Sequence, residues 1–209
     1  MMRRWWLPLA ILLAFSRCRD AAAPLASRGA AAAQFSTTTS PTTVHILEQA
    51  PTAPRLETYS VSVWAYMRKE SMVQVNYQPT AGQSVGDPFL RFDIAHNGLV
   101  AGAGGAPLKP GDSVLITLTI DSLSFAVHFE PDGVLFSTKD PATLAMWYAH
   151  ANLDLNGDGV VDYLDMQLVN QLSFWYHGKR WSVVPSSVDT KQQVVRASLY
   201  HLSDYALSW

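Results

Sequence analysis

The chain has 209 residues, of which 48% are apolar and 15% charged, a globular composition long enough for one domain plus terminal segments. Its net charge of −2 hides an asymmetry: residues 1–31 hold five arginines and one aspartate, so of 15 basic and 17 acidic side chains the remainder keeps 10 and 16. An acidic body with no basic stripe among its aromatics excludes nucleic acid as an expected partner.

Arg3 and Arg4 precede an apolar run from Trp5 to Phe15. As a helix that run would reach about 17 Å, short of the roughly 30 Å of a bilayer's hydrocarbon core. It reads as an export signal over 1–19, and the expected location is periplasm, cell envelope or extracellular space. Cys18, the one cysteine, stands where bacterial lipoproteins carry their lipid-modified residue, which would attach the chain to a membrane. Arg17 departs from the small residue expected before it, so cleavage among the alanines of 21–33 is the alternative route. The Arg-Arg-Trp-Trp-Leu start also bears a faint likeness to a twin-arginine signal. Residues 20–56 are rich in Ala, Ser, Thr and Pro and read as a flexible tether.

From residue 57 onward the expected domain begins. Ser60–Tyr66 and Met72–Tyr77 alternate with period two around Arg68-Lys69-Glu70, a hairpin signal. Further strands are expected at 89–94, 113–120, 125–129, 142–148, 181–184, 194–199 and 205–208, with a Gly/Pro-rich crossing over 98–111. Many short strands with frequent turns indicate a mainly β chain folded as an antiparallel β-sandwich, 57–209.

The chemistry concentrates in Asp154-Leu155-Asn156-Gly157-Asp158-Gly159-Val160-Val161-Asp162-Tyr163-Leu164-Asp165. Side-chain oxygens fall at loop positions 1, 3, 5, 9 and 12 (Asp154, Asn156, Asp158, Asp162, Asp165), and Val160 at position 7 offers a backbone carbonyl. Ca²⁺ takes about six to eight oxygens, and a short loop surrounds it only by turning sharply at its middle. Gly159, at position 6, permits that turn. Without a cation the four carboxylates would repel one another. After the loop, Leu164, Leu168 and Leu172 predict a helix from about Tyr163, while no helix is expected before it. Calcium loop and helix form an expected insertion over 152–176.

The D-x-N-x-D-G spacing resembles the EF-hand loop, and Asn156 with Asp165 is more similar to its dockerin variant. Dockerins carry two loop copies; here there is one. Phe129-Glu130-Pro131-Asp132-Gly133-Val134-Leu135-Phe136 with Pro141-Ala142-Thr143-Leu144 resembles a segment of the spectrin-binding type of domain in ankyrins, netrin receptors and exported bacterial proteins. Trp181-Ser182-Val183-Val184-Pro185-Ser186-Ser187-Val188-Asp189 and His201-Leu202-Ser203-Asp204-Tyr205-Ala206 resemble the end of its bacterial members. The resemblance spans roughly 90–209 and implies a sandwich with the calcium loop inserted between two strands.

No catalytic set is expected. His201 and Ser203 share a strand face about 6–7 Å apart with Asp204 opposite, so no base is oriented on a nucleophile. Gly102-Ala103-Gly104-Gly105 lacks a following helix and reads as a loop. His45, His96, His128, His150, His177 and His201 show no zinc spacing. His150 is expected beside the calcium loop, and Trp147, Trp175, Tyr176 and Trp181 are expected in the core and against the helix, not as a sugar platform. The expectation is a non-enzymatic, exported, calcium-binding module with structural Ca²⁺. It would serve a surface or adhesion-type protein whose partner is a cell-surface or extracellular protein or glycan. Docking onto a cohesin-type partner and service as an accessory domain of a hydrolase are the alternatives.

Overall fold

The computed structural model describes residues 44–209. The expected signal, Cys18 and the first part of the tether lie outside the described residues. Thirteen strands follow in order: β1 (Ser60–Tyr66), β2 (Ser71–Asn76), β3 (Pro88–Ile94), β4 (Leu99–Ala101), β5 (Ser113–Ile120), β6 (Ala126–Glu130), β7 (Leu135–Phe136), β8 (Ala142–Trp147), β9 (Ser173–His177), β10 (Trp181–Val184), β11 (Ser186–Asp189), β12 (Val194–Leu199) and β13 (Asp204–Ser208). One α-helix, α1 (Tyr163–Val169), stands between β8 and β9.

The chain is mainly β, with antiparallel sheets. A six-stranded sheet has the order β1-β5-β6-β13-β9-β10, a five-stranded sheet β11-β12-β8-β3-β2, and β4 pairs with β7 alone. The period-two pattern explains why they face each other. Phe92 of β3 and Phe129 of β6 meet across the gap with ring centroids 4.9 Å apart, and Phe89 meets Phe125 at 5.3 Å. One hydrophobic cluster takes residues from both sheets, so neither inner face is left in water.

Four expectations change. The turn at 68–70 is present, with Arg68 at φ +62°, but β1 and β2 do not form a hairpin. Along its length β1 pairs with β5 while β2 pairs with β3. Ala65 on β1 and Val73 and Val75 on β2 are all buried, so the chain crosses from one sheet to the other to bury both apolar faces in one core. Residues 44–56, expected as the end of a flexible tether, instead pack on the body. Leu47 N–H donates to Leu207 O (2.9 Å) and Phe125 N–H donates to Leu47 O (2.8 Å). Leu47 and Leu56 are buried. The insertion ends earlier than 176, because Ser173–His177 is a strand held between β13 and β10. Gly102–Gly105, expected as open loop, holds a short 3₁₀ turn over Ala103–Gly105.

Candidate functional site

The chain leaves β8 and runs through an extended stretch in which Leu155 is buried while Asn156 through Leu164 are exposed. Gly157 and Gly159 take φ of +75° and +87°, the left-handed region that glycine enters without penalty. Those two reversals wrap the backbone around Asp154. Gly157 N–H donates to its Oδ1 and Gly159 N–H to its Oδ2, both at 2.9 Å. Asn156 Oδ1 accepts from Asp158 N–H (2.9 Å), Asp158 Oδ1 accepts from Val160 N–H (2.9 Å), and Asn156 Nδ2 donates to Asp158 Oδ2 (3.1 Å).

The far half of the loop is organised by the helix start. Asp162 is the N-cap, with its Oδ1 accepting from Leu164 N–H at 2.7 Å, and Asp165 reaches back to accept from Asp162 N–H at 2.9 Å. This is a reciprocal cap made with two aspartates. Asp165 does more than cap. Its Oδ1 also accepts from Leu155 N–H (2.8 Å) and Asn156 N–H (3.0 Å), tying the first turn of α1 to the opening of the loop. Asp165 has no accessible surface. The Asp162 N–H lowers its pKa most; burial opposes this, and the Asn156 and Leu155 amides reinforce the lowering.

A carboxylate has about four lone-pair sites. Asp154 uses two of them, Asp158 two and Asp162 one, while Asp165 uses three. Acceptor capacity for a hard cation therefore remains at Asp154, Asp158 and Asp162, but bidentate ligation through Asp165 is blocked by its own amide partners. None of the four carboxylates makes an ion pair among the described residues. Nor do they converge in this conformation: among the described residues no group of three or more His, Cys, Asp or Glu is placed to hold a metal ion. The donor chemistry fits calcium, and the side-chain arrangement is that of a loop closed on its own amides.

The helix begins at Tyr163 but ends at Val169, and its buried residues are Asp165 and Val169. Leu164, expected on the inward face, is 54% exposed. Asp165 takes the inward position because three amides need its charge there. His150, expected beside the loop, makes its contacts elsewhere. Its Nε2 lies 3.0 Å from Asp87 Oδ2 and its ring packs on Tyr77. Trp147, Trp175, Tyr176 and Trp181 are half-buried, and Trp175 and Trp181 alternate with the buried Phe174 side of their strands toward the outer face.

His201-Leu202-Ser203-Asp204 divides into structural roles. Tyr205 Oη donates to His201 O at 2.6 Å, fixing the approach to β13, and Ser203 Oγ donates to His177 O at 2.9 Å. Asp204 pairs with His128 Nδ1, whose Nε2 stands 3.6 Å from Glu130 Oε1. The register placing His128 opposite Asp204 joins strands 76 positions apart in the chain, and no local pattern signals it.

No family model matches the chain, and no curated protein or solved structure matches it.

Proposed function

We propose that the chain is an exported, non-catalytic β-sandwich module in which the 154–165 loop takes one Ca²⁺ in a structural role. The observation that carries this reading is four carboxylates in twelve residues with no basic counter-ion among the described residues. A divalent cation would relieve that repulsion. Two left-handed glycines and a helix starting at loop position 10 support it. Asp154, Asn156, Asp158 and Asp162, with the Val160 carbonyl, would supply oxygens, and Asp165 would use its one remaining lone pair. Binding would require Asn156 and Asp158 to exchange their mutual contact for the ion, so the affinity belongs with extracellular modules, about 10⁻⁴–10⁻³ M.

Thermal melting in millimolar calcium and in chelator tests this. At about 10 mM calcium, roughly 10 to 100 times that Kd, binding would stabilise by about 1.4–2.7 kcal/mol. Identical melting curves, with no heat of calcium binding by calorimetry, would remove the metal from the reading.

A second reading, docking onto a cohesin-type partner, is favoured by an apolar tip. Val160, Val161, Tyr163 and Leu164 are 61%, 55%, 73% and 54% exposed. Such a contiguous patch suits a protein partner. Titration with a cohesin-type domain, before and after Tyr163→Ser with Leu164→Ser, separates this reading from a purely structural loop.

A further inference from the structure

β1 is an edge of the six-stranded sheet, and its antiparallel register with β5 runs unbroken from Ser60 opposite Thr119 to Tyr66 opposite Ser113. Just beyond its ends Ile120 N–H donates to Tyr59 O (2.8 Å) and Met67 N–H to Asp112 O (3.0 Å). Bonded and unbonded pairs alternate along an antiparallel ladder. The odd positions of β1 therefore bond to β5, while Ser60, Ser62, Trp64 and Tyr66 turn their backbone groups outward. No strand pairs with β1 on that side among the described residues.

A free edge is ordinarily blunted by charges, proline, a bulge, shortness or a covering segment. The other main edges here use these devices. β10 and β11 have four residues each and are separated by Pro185. β2 shifts register between Val75 and Asn76, and its end is covered where Glu57 N–H donates to Asn76 O (2.9 Å) and Gln78 N–H to Arg55 O (2.7 Å). β1 uses none of them. Its seven residues, Ser-Val-Ser-Val-Trp-Ala-Tyr, include no charge and no proline and pair without a shift. On its outer face Trp64 and Tyr66 are 51% and 38% exposed, and Leu115, opposite Trp64 on β5, is 42% exposed. Such an edge is a template for a further strand.

The strand that fits is a second β1. Two copies run antiparallel about Val63 set Ser62 of each against Trp64 of the other, so outward N–H groups meet outward carbonyls twice over. Trp64 O already accepts from Ser71 Oγ (3.1 Å) and keeps a lone pair for this. The two indoles become diagonal neighbours, about 7–8 Å apart at the backbone and within reach of each other. Charge selects the same register. Glu57 and Lys69, each three residues beyond an end of β1, are exposed and make no ion pair among the described residues. In the centred register Glu57 of one copy falls level with Lys69 of the other, Arg68 with Thr58 and Arg55 with Ser71, so no like charges meet. A shift of two residues one way sets Lys69 against Arg55. The opposite shift sets Trp64 directly on Trp64 and Glu57 against Ser71, and an in-register parallel copy sets Lys69 beside Lys69. We propose that the protein is a two-fold dimer whose β1 edges pair in this register, joining two six-stranded sheets into one. The contact uses up the one unprotected edge, so assembly stops at two copies.

Sedimentation equilibrium of the full chain tests this. The expected species has twice the mass of one chain, with a dimer Kd below about 10 μM. Ser62→Pro removes an outward N–H from each copy and spares the ladder to β5. It should weaken the dimer at least about tenfold, with an unchanged near-ultraviolet circular dichroism spectrum as the check on folding. Glu57→Lys and Lys69→Glu, both at exposed positions, test the register without touching β1. Each alone places like charges level twice per dimer and should weaken it, and the double variant should recover the original Kd. A dimer that ignores Ser62→Pro in a folded chain, or one whose double charge variant shows no recovery, overturns the proposal. So does association beyond two copies. A chain still monomeric at about 100 μM overturns it as well, and slow hydrogen exchange at Ser62 and Trp64 in that monomer would assign the edge to the chain's own residues 1–43. The pairing uses no residue of the 154–165 loop and should be the same in calcium and in chelator, so its failure and that of the calcium reading are separate results.

Discussion

Asp165 is the residue on which the loop's shape depends. It is buried and ionised, and three amides from both ends of the loop converge on it. Asp165→Ala should therefore lower the melting temperature more than Asp158→Ala or Asp162→Ala, in calcium and in chelator alike. Equal losses at the three positions would show that the clasp is not specific. His128 gives a pH dependence. Burial pulls its pKa down, but the Asp204 hydrogen bond and the charges of Asp204 and Glu130 outweigh this and hold it above the usual imidazole value. His177 stands opposite Asp204 on the other side. A raised pKa means that the folded state holds the proton more tightly than the unfolded chain does. This stabilisation is complete below about pH 6.5 and lost as pH rises through the folded value. Melting temperatures across pH 5–9 should fall on the alkaline side, and Asp204→Asn should flatten that slope. Tyr77 and Tyr148 have the opposite problem: their hydroxyls are buried and lack partners among the described residues. Tyr77→Phe or Tyr148→Phe should stabilise by about 1 kcal/mol, read by denaturant unfolding. At this scale the sequence exposed the oxygens of the loop by their spacing. It did not expose which of them would face amides, because that depends on the path of the backbone around Asp154.

Strands with local alternation were the legible elements. β1, β5, β10 and β12 occupy the ranges expected from period two, since an alternating face has one way to be buried. β9 was hidden. Ser173-Phe174-Trp175-Tyr176-His177 has Phe174 buried and the adjacent Trp175 and Tyr176 both half-buried, so period two is blurred and the stretch reads as the tail of the helix. α1 was placed correctly at its start, where Asp162 caps it, and extended too far at its end, because Leu172 is buried by a turn beyond the helix and not by the helix itself. Glycines at element boundaries divide in the same way into conformational and steric cases. Gly159 has φ +87° with open space around a would-be Cβ, whereas a Cβ on Gly86 would lie 1.8 Å from the Tyr77 carbonyl oxygen. Gly159→Ala should cost about 1–2 kcal/mol for the left-handed backbone alone. Gly86→Ala forces two backbone segments apart beside the β2–β3 bulge and should cost distinctly more. A comparison of the two variants' urea midpoints decides, and Gly86→Ala matching Gly159→Ala would count against the close approach.

For the whole molecule, the question is where the folded body begins. Composition places the boundary near residue 57, because 20–56 looks too poor in large apolar residues to order itself. The structure shows why that inference stops short. A segment need not carry a core of its own if it completes one elsewhere. Val44, Leu47 and Leu56 are buried, Leu47 and Leu56 within the common core, and the backbone between them bridges Leu207, Phe125, Leu123, His150 and Gln78. The segment thereby touches both main sheets and the approach to the loop, where Asn152 N–H donates to Glu48 O at 2.9 Å. Three buried aliphatic side chains at about 1.5–3 kcal/mol each amount to roughly 5–9 kcal/mol before the cost of ordering. That is comparable with the roughly 5–15 kcal/mol by which a domain is stable at all. A chain starting at residue 44 should therefore melt cooperatively like the full chain. One starting at residue 57 should lose most of its near-ultraviolet circular dichroism or melt far lower. If the shorter chain melts with unchanged cooperativity and temperature, the 44–56 segment is only laid over a body that is complete without it.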